Sequence, residues 1–180
     1  FFCGPKHALD QLIEAAARAA SLTGGVTAQS ASTEGTKKLL IIRVDFPDQP
    51  GEVVSDATLT SLINNMSTHW TEMSFGKMTW TLQGAGSDFT PTLRLPNGHA
   101  SYTSFGTMLA AARTAATAAG YNYLNYTHEV VVTGDKPDVS FGGIAFVGAR
   151  GAWLANGQWN LGVCSHEVGH NFGLNHAGFW

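Results

Sequence analysis

Near one end of the 180-residue chain, His166, Glu167, His170, Gly173 and His176 stand in the spacing H-E-x-x-H-x-x-G-x-x-H. These residue types suit one chemistry, hydrolysis assisted by a metal ion. On an α-helix, residues four apart differ by roughly 40° of rotation, so His166 and His170 point the same way, one turn apart. Two imidazoles so placed can share one Zn²⁺. Gly173 has no Cβ, so it can end the helix and turn the chain sharply, bringing His176 back as a third ligand. Three protein ligands leave a fourth position for water, as a catalytic zinc site requires. Glu167, beside the ligands, is placed to take a proton from that zinc-bound water.

At these residues the chain resembles the metzincin clan of zinc endopeptidases. The run Gly169-His170-Asn171-Phe172-Gly173-Leu174, followed by His176-Ala177, is most similar to the gametolysin-type secreted peptidases and their bacterial relatives. Ala177 replaces the Asp, Ser or Glu that the adamalysin, matrixin and astacin branches carry there. Met73-Ser74-Phe75-Gly76-Lys77-Met78 is similar to a helix-to-strand junction of the same peptidases. The resemblance implies a zinc endopeptidase of extracellular proteins, with His166, His170 and His176 as zinc ligands and Glu167 as general base. It implies a fold as well: an α+β metzincin N-terminal subdomain with a twisted mixed sheet, two packing helices and a zinc-binding active-site helix. Metzincins also place a methionine turn downstream of the third histidine. Met66, Met73, Met78 and Met108 all lie upstream, the chain stops at Trp180, and it does not begin with Met. A fragment is therefore expected, truncated after the third histidine, lacking the C-terminal subdomain and not necessarily active alone.

The elements that must position these residues can be read from periodicity. Leu9, Leu12, Ile13 and Ala16 mark a helix over 7–20, and a Ser/Thr/Gly-rich stretch follows to residue 36. Residues 1–36 are expected to be the end of a pro-segment or a linker, and 37–180 the catalytic part. Leu39 to Phe46 is a nearly continuous apolar run, typical of a strand covered on both faces. Leu59, Leu62, Ile63, Met66, Trp70 and Met73 fall on one helical face, with Ser55 or Asp56 to cap it and Gly76 to stop it. A stripe of this spacing belongs to a core rather than to a ligand box. Met78, Trp80 and Leu82 alternate as a half-buried strand, and a less regular strand covers Asp88 to Leu95. Phe105, Met108, Leu109, Ala112, Ala116 and Ala119 mark a second helix, ended by Gly120. Glu129–Thr133 and Gly143–Gly148 read as strands. The zinc helix starts near Gly162, with Cys164, Val168 and Phe172 opposite the ligands.

Gly143, Ile144, Ala145 and Phe146 are candidate substrate-binding residues. The resemblance implies an edge strand before the zinc helix that takes a protein or peptide substrate as an added extended strand. Gly142, Gly143 and Gly148 would let another backbone approach; the competing reading is a plain edge strand with glycine turns. The net charge of −3 and the absence of a basic patch speak against nucleic acid, and no apolar run is long enough to span a bilayer. Few charges (13%) and many Gly, Thr, Ser and Asn residues fit a secreted protein.

Several residues keep alternatives open. Cys3 and Cys164 could pair, or Cys3-Gly4 could be an inhibitory pro-segment thiol on the zinc, or both could be plain unpaired cysteines. Asp135 and Asp138 could hold Ca²⁺ or simply form a turn. His7, His69, His99 and His128 lack ligand spacing to one another and read as surface or hydrogen-bonded residues. The rival to the enzyme is a catalytically inactive zinc- or peptide-binding module that keeps the histidines; the intact Glu167 speaks for the enzyme.

Overall fold

A computed structural model describes residues 33–51, 53–81, 88–134 and 138–176. The helix expected over 7–20, most of the linker, Cys3 and Asp135 lie outside them. The element order is β1 (Gly35–Asp45), α1 (Asp56–Met73), β2 (Met78–Thr81), β3 (Leu93–Arg94), α2 (Phe105–Ala118), β4 (His128–Val132), β5 (Gly143–Ala145), β6 (Ala152–Leu154) and α3 (Leu161–Asn171). Short 3₁₀ turns at His99–Ser101 and Tyr123–Asn125 flank α2.

The apolar run that predicts the first strand is the centre of the sheet. Its strand starts earlier than the run, at Gly35, inside the expected linker. β1 pairs in parallel with β2 and β3 along one edge and with β4 on the other. β6 continues the parallel set beyond β4, and β5 closes the order β2-β1-β4-β6-β5 as an antiparallel edge strand. Both faces of β1 are covered, which is why its sequence does not alternate. On one face Leu39, Ile41, Val130 and Val132 meet Leu59, Ile63 and Met66 of α1 and Cys164 and Val168 of α3. On the other, Leu40, Ile42, Val131 and Trp153 meet Met108, Leu109, Ala112 and Ala116 of α2.

Ser55 caps α1 by accepting from the Thr58 amide, and Ser104 caps α2 through Thr107 in the same way. Arg43 reaches from β1 to the start of α1, donating to the Val54 carbonyl (3.0 Å) and pairing with Asp56 (2.6 Å). Met73, which its spacing assigns to the core, is 65% exposed at the last turn of α1.

Two strand expectations change, and one strand is unannounced. Asp88–Leu95 contributes one bridge, Ile41 to Phe89, and the two-residue β3, because its backbone meets β1 only at those points. Gly143–Gly148 stops at Ala145, because the Asn171 amide of α3 takes the Phe146 carbonyl and the chain turns at Gly148 (φ +71°). β6 has no periodic signature and exists because it bridges β4 and β5. The larger correction concerns fold class. The described residues form an α+β domain with a mixed sheet and three helices, and nothing in it is specific to a metzincin subdomain. Parallel strands with helices on both faces follow from burying continuous apolar runs, whatever the family.

Candidate metal centre

Helix α3 delivers the chemistry. The Asn160 side chain caps its start by accepting from the Val163 amide. Its end is a Schellman motif: the Leu174 amide reaches the Gly169 carbonyl (3.2 Å) and the Gly173 amide the His170 carbonyl (2.8 Å). Gly173 takes φ +90°, a left-handed conformation that a side chain would strain. This turn folds residues 174–176 back beside the helix.

The three histidines converge. Nε2 of His166 lies 3.1 Å from Nε2 of His176, and Nε2 of His170 lies 3.2 and 3.1 Å from the other two. Tetrahedral coordination with zinc–nitrogen bonds of 2.0–2.1 Å needs separations of roughly 3.3–3.4 Å between ligand nitrogens. The donor set fits a zinc ion. His170 Nδ1 donates to the Leu174 carbonyl (2.6 Å), which leaves the lone pair of a neutral ring on Nε2, facing the centre. Burial, then the neighbouring His170 and His176, push the His166 imidazole below its ordinary range, favouring the unprotonated form that a metal needs. Among the described residues, His166, His170 and His176 are the one group of three or more His, Cys, Asp or Glu side chains close enough to share an ion.

Glu167 points into the interface between α3 and β5 and is only 6% exposed. Burial pushes its carboxyl up to about 7. Cys164, one turn before Val168, is a buried free thiol packed on Met66. Burial first, and the Glu167 charge second, raise it to about 12, so it is neither a nucleophile nor a ligand.

Two features that the sequence does not signal hold α3 in place. Asn171 donates through Nδ2 to the Phe146 and Gly151 carbonyls (both 2.9 Å) and accepts from the Gly151 amide (3.2 Å). The Gly148 amide donates to the His170 carbonyl (2.8 Å), so the β5–β6 loop bonds directly to the backbone of a candidate ligand. At the helix end, Phe172 sits among Trp70 (5.3 Å between centroids), His128 (4.6 Å) and Trp80 (6.1 Å), with Lys37 Nζ 6.0 Å from its ring. The same loop is tied to β4: Glu129, fully buried, pairs with Arg150 (2.6 Å) and with Arg113 of α2.

The candidate substrate residues divide. Gly142 with Ala155 and Phe146 with Gly151 are bonded ladder pairs, so Ile144 with Trp153 is one too. That alternation turns the backbone N–H and C=O of Gly143 and Ala145 toward the open edge of β5. Gly143 and Ala145 also face α3, whereas Ile144 and Phe146 pack into the opposite core, Phe146 against Phe105 at 4.6 Å. Asp138 is hydrogen-bonded to His99 Nδ1, far away in the chain, and so links two loops. Ser165 Oγ, beside His166, is buried in the helix.

An α+β domain presenting three converging imidazoles beside a buried carboxylate is of the metallopeptidase class. The chain belongs to the Peptidase M66 family, whose model matches residues 59–180, and is thereby a metallopeptidase, a hydrolase. No curated protein matches it. This overturns the resemblance to gametolysin-type metzincins, which rests on residues 166–177 and 73–78. A short match around ligand positions reports what a helix needs in order to bind a metal. The family model matches residues 59–180, from within α1 to beyond the third histidine.

Proposed function

We propose that the protein is a zinc-dependent endopeptidase in which Glu167 is the general base. The observation that carries this is the convergence of the three Nε2 atoms, from a helix that also presents Glu167 and from its return turn. His166, His170 and His176 would hold Zn²⁺. Bound there, zinc would polarise a peptide carbonyl and acidify a water molecule. Glu167 takes the proton from the attacking water and passes it to the leaving nitrogen. The outward N–H and C=O groups of Gly143 and Ala145 would bind the substrate backbone as an added strand. Among the described residues no helix is long and apolar enough to cross a membrane. The low charge content fits action on extracellular proteins.

The test is cleavage of a mixed quenched-peptide library by the full-length protein. Chelation should abolish cleavage. Glu167→Ala should keep zinc but lose activity by about 10²- to 10⁴-fold, and His170→Ala should lose both. A folded, zinc-loaded protein that cleaves nothing would instead be an inactive zinc- or peptide-binding module.

A further inference from the structure

We infer that Gly143 is a positioning residue for the catalytic base: the absence of a side chain on β5 opens the space in which the Glu167 carboxylate sits. A Cβ built on Gly143 would lie 2.6 Å from Glu167 Oε1, 2.7 Å from Cγ and 2.9 Å from Cδ. Heavy atoms do not approach so closely, so the carboxylate must move if any side chain is present. Backbone conformation gives no other reason for this glycine. Gly143 is not among the residues with positive φ, so alanine can adopt its backbone without strain. Nor would the substitution touch the three imidazoles, which lie on the helix and its return turn. The residue that must give way is the flexible end of Glu167.

This inference rests on Glu167 being the base, and it differs from a substrate-binding role for Gly143. A backbone contact to substrate survives Gly143→Ala, because its N–H and C=O remain on the open edge. A base displaced by even 1 Å costs on the order of 10²-fold in rate. The two roles therefore separate in kinetics.

The experiment compares wild type, Gly143→Ala, Glu167→Ala and the double variant in the full-length, zinc-loaded protein, using a peptide that the library identifies as cleaved. Gly143→Ala should lower kcat by about 10- to 100-fold. KM should stay within about twofold and bound zinc should be unchanged, as uniform binding is not affected. Thermal unfolding supplies a second readout that needs no activity. Any loss of Tm caused by Gly143→Ala should vanish in the Glu167→Ala background, since the clashing atoms are gone. An unchanged kcat, a rise in KM alone, or additive Tm shifts would overturn the inference while leaving Glu167 as base. Full activity in Glu167→Ala, or no cleavage by wild type, would remove the reading beneath it and the inference with it.

Discussion

His128 should give the domain an acid-labile core. It is buried in β4, against Trp80 and Phe172. Burial first, then the charges of Lys37 and Arg150, hold its imidazole at about 4 instead of 6.5. Above pH 6.5 the ring is neutral in both folded and unfolded chains and contributes nothing. Between 6.5 and about 4 the unfolded chain binds a proton that the folded one refuses, so stability falls as pH falls. At ~1.4 kcal/mol per pH unit, the whole window costs about 3 kcal/mol. Glu167 works in the opposite direction. Its folded carboxyl is raised from 4.5 to about 7, so over nearly the same range the folded chain gains a proton first and acid stabilises it. The two slopes oppose one another in a single stability curve. The informative measurement is urea unfolding of the zinc-free protein between pH 7.5 and 4, for wild type and His128→Asn, read as the difference. Glu167 and the ligand histidines cancel in that difference, and wild type should lose about 3 kcal/mol relative to the variant. A difference flat to within about 1 kcal/mol would show that His128 accepts a proton in place, and would refute the argument from burial.

Three further outcomes follow from the same contacts. Arg113→Ala strips one partner from the fully buried Glu129 carboxylate and should cost about 3 kcal/mol in urea unfolding at neutral pH. Asn171→Ala leaves the Phe146 and Gly151 carbonyls and the Gly151 amide without their partner and should cost about 2–3 kcal/mol, with β5–β6 amides exchanging faster by hydrogen-exchange mass spectrometry. Gly173→Ala forces a side chain into φ +90° and should cost about 1–2 kcal/mol. It should also weaken zinc binding on the order of tenfold by calorimetric titration, because His176 is delivered by that turn.

How far the sequence could be read depended on whether a residue's role is local. His166 and His170 are related by one helical turn and His176 by one glycine, so ligand spacing is visible in the chain itself. The stripes of α1 and α2, the Ser55 cap and the apolar run of β1 are local in the same sense. Met73 continues a correct stripe past the point where the core ends. Ala152-Trp153-Leu154 becomes a strand only through partners on both sides, and no alternation announces it. Glu129 reads as one polar residue in a valine strand until Arg113 and Arg150 close on it from elsewhere. Gly143 was legible as a glycine at an edge, but its neighbour Glu167 is a tertiary fact. The family is not legible from residues 166–177 for a related reason: a metal imposes its ligand spacing on any helix that holds it, whereas the family match extends over residues 59–180.

The three histidines, Glu167, Gly143 and the Asn171 clamp all fall between residues 143 and 176, on β5, α3 and its return turn, with β6 among them, while β1 and β4 anchor the sheet beside them. Such a contiguous block can open as one cooperative unit without unfolding the rest, and its opening free energy is its own. A zinc ion held by the three histidines would bind only the closed block, so metal concentration would set how often it opens, by mass action. Zinc supply would then govern the survival of the site against proteolysis as well as its chemistry. Metal starvation would expose this segment to cleavage while the central strands stay folded.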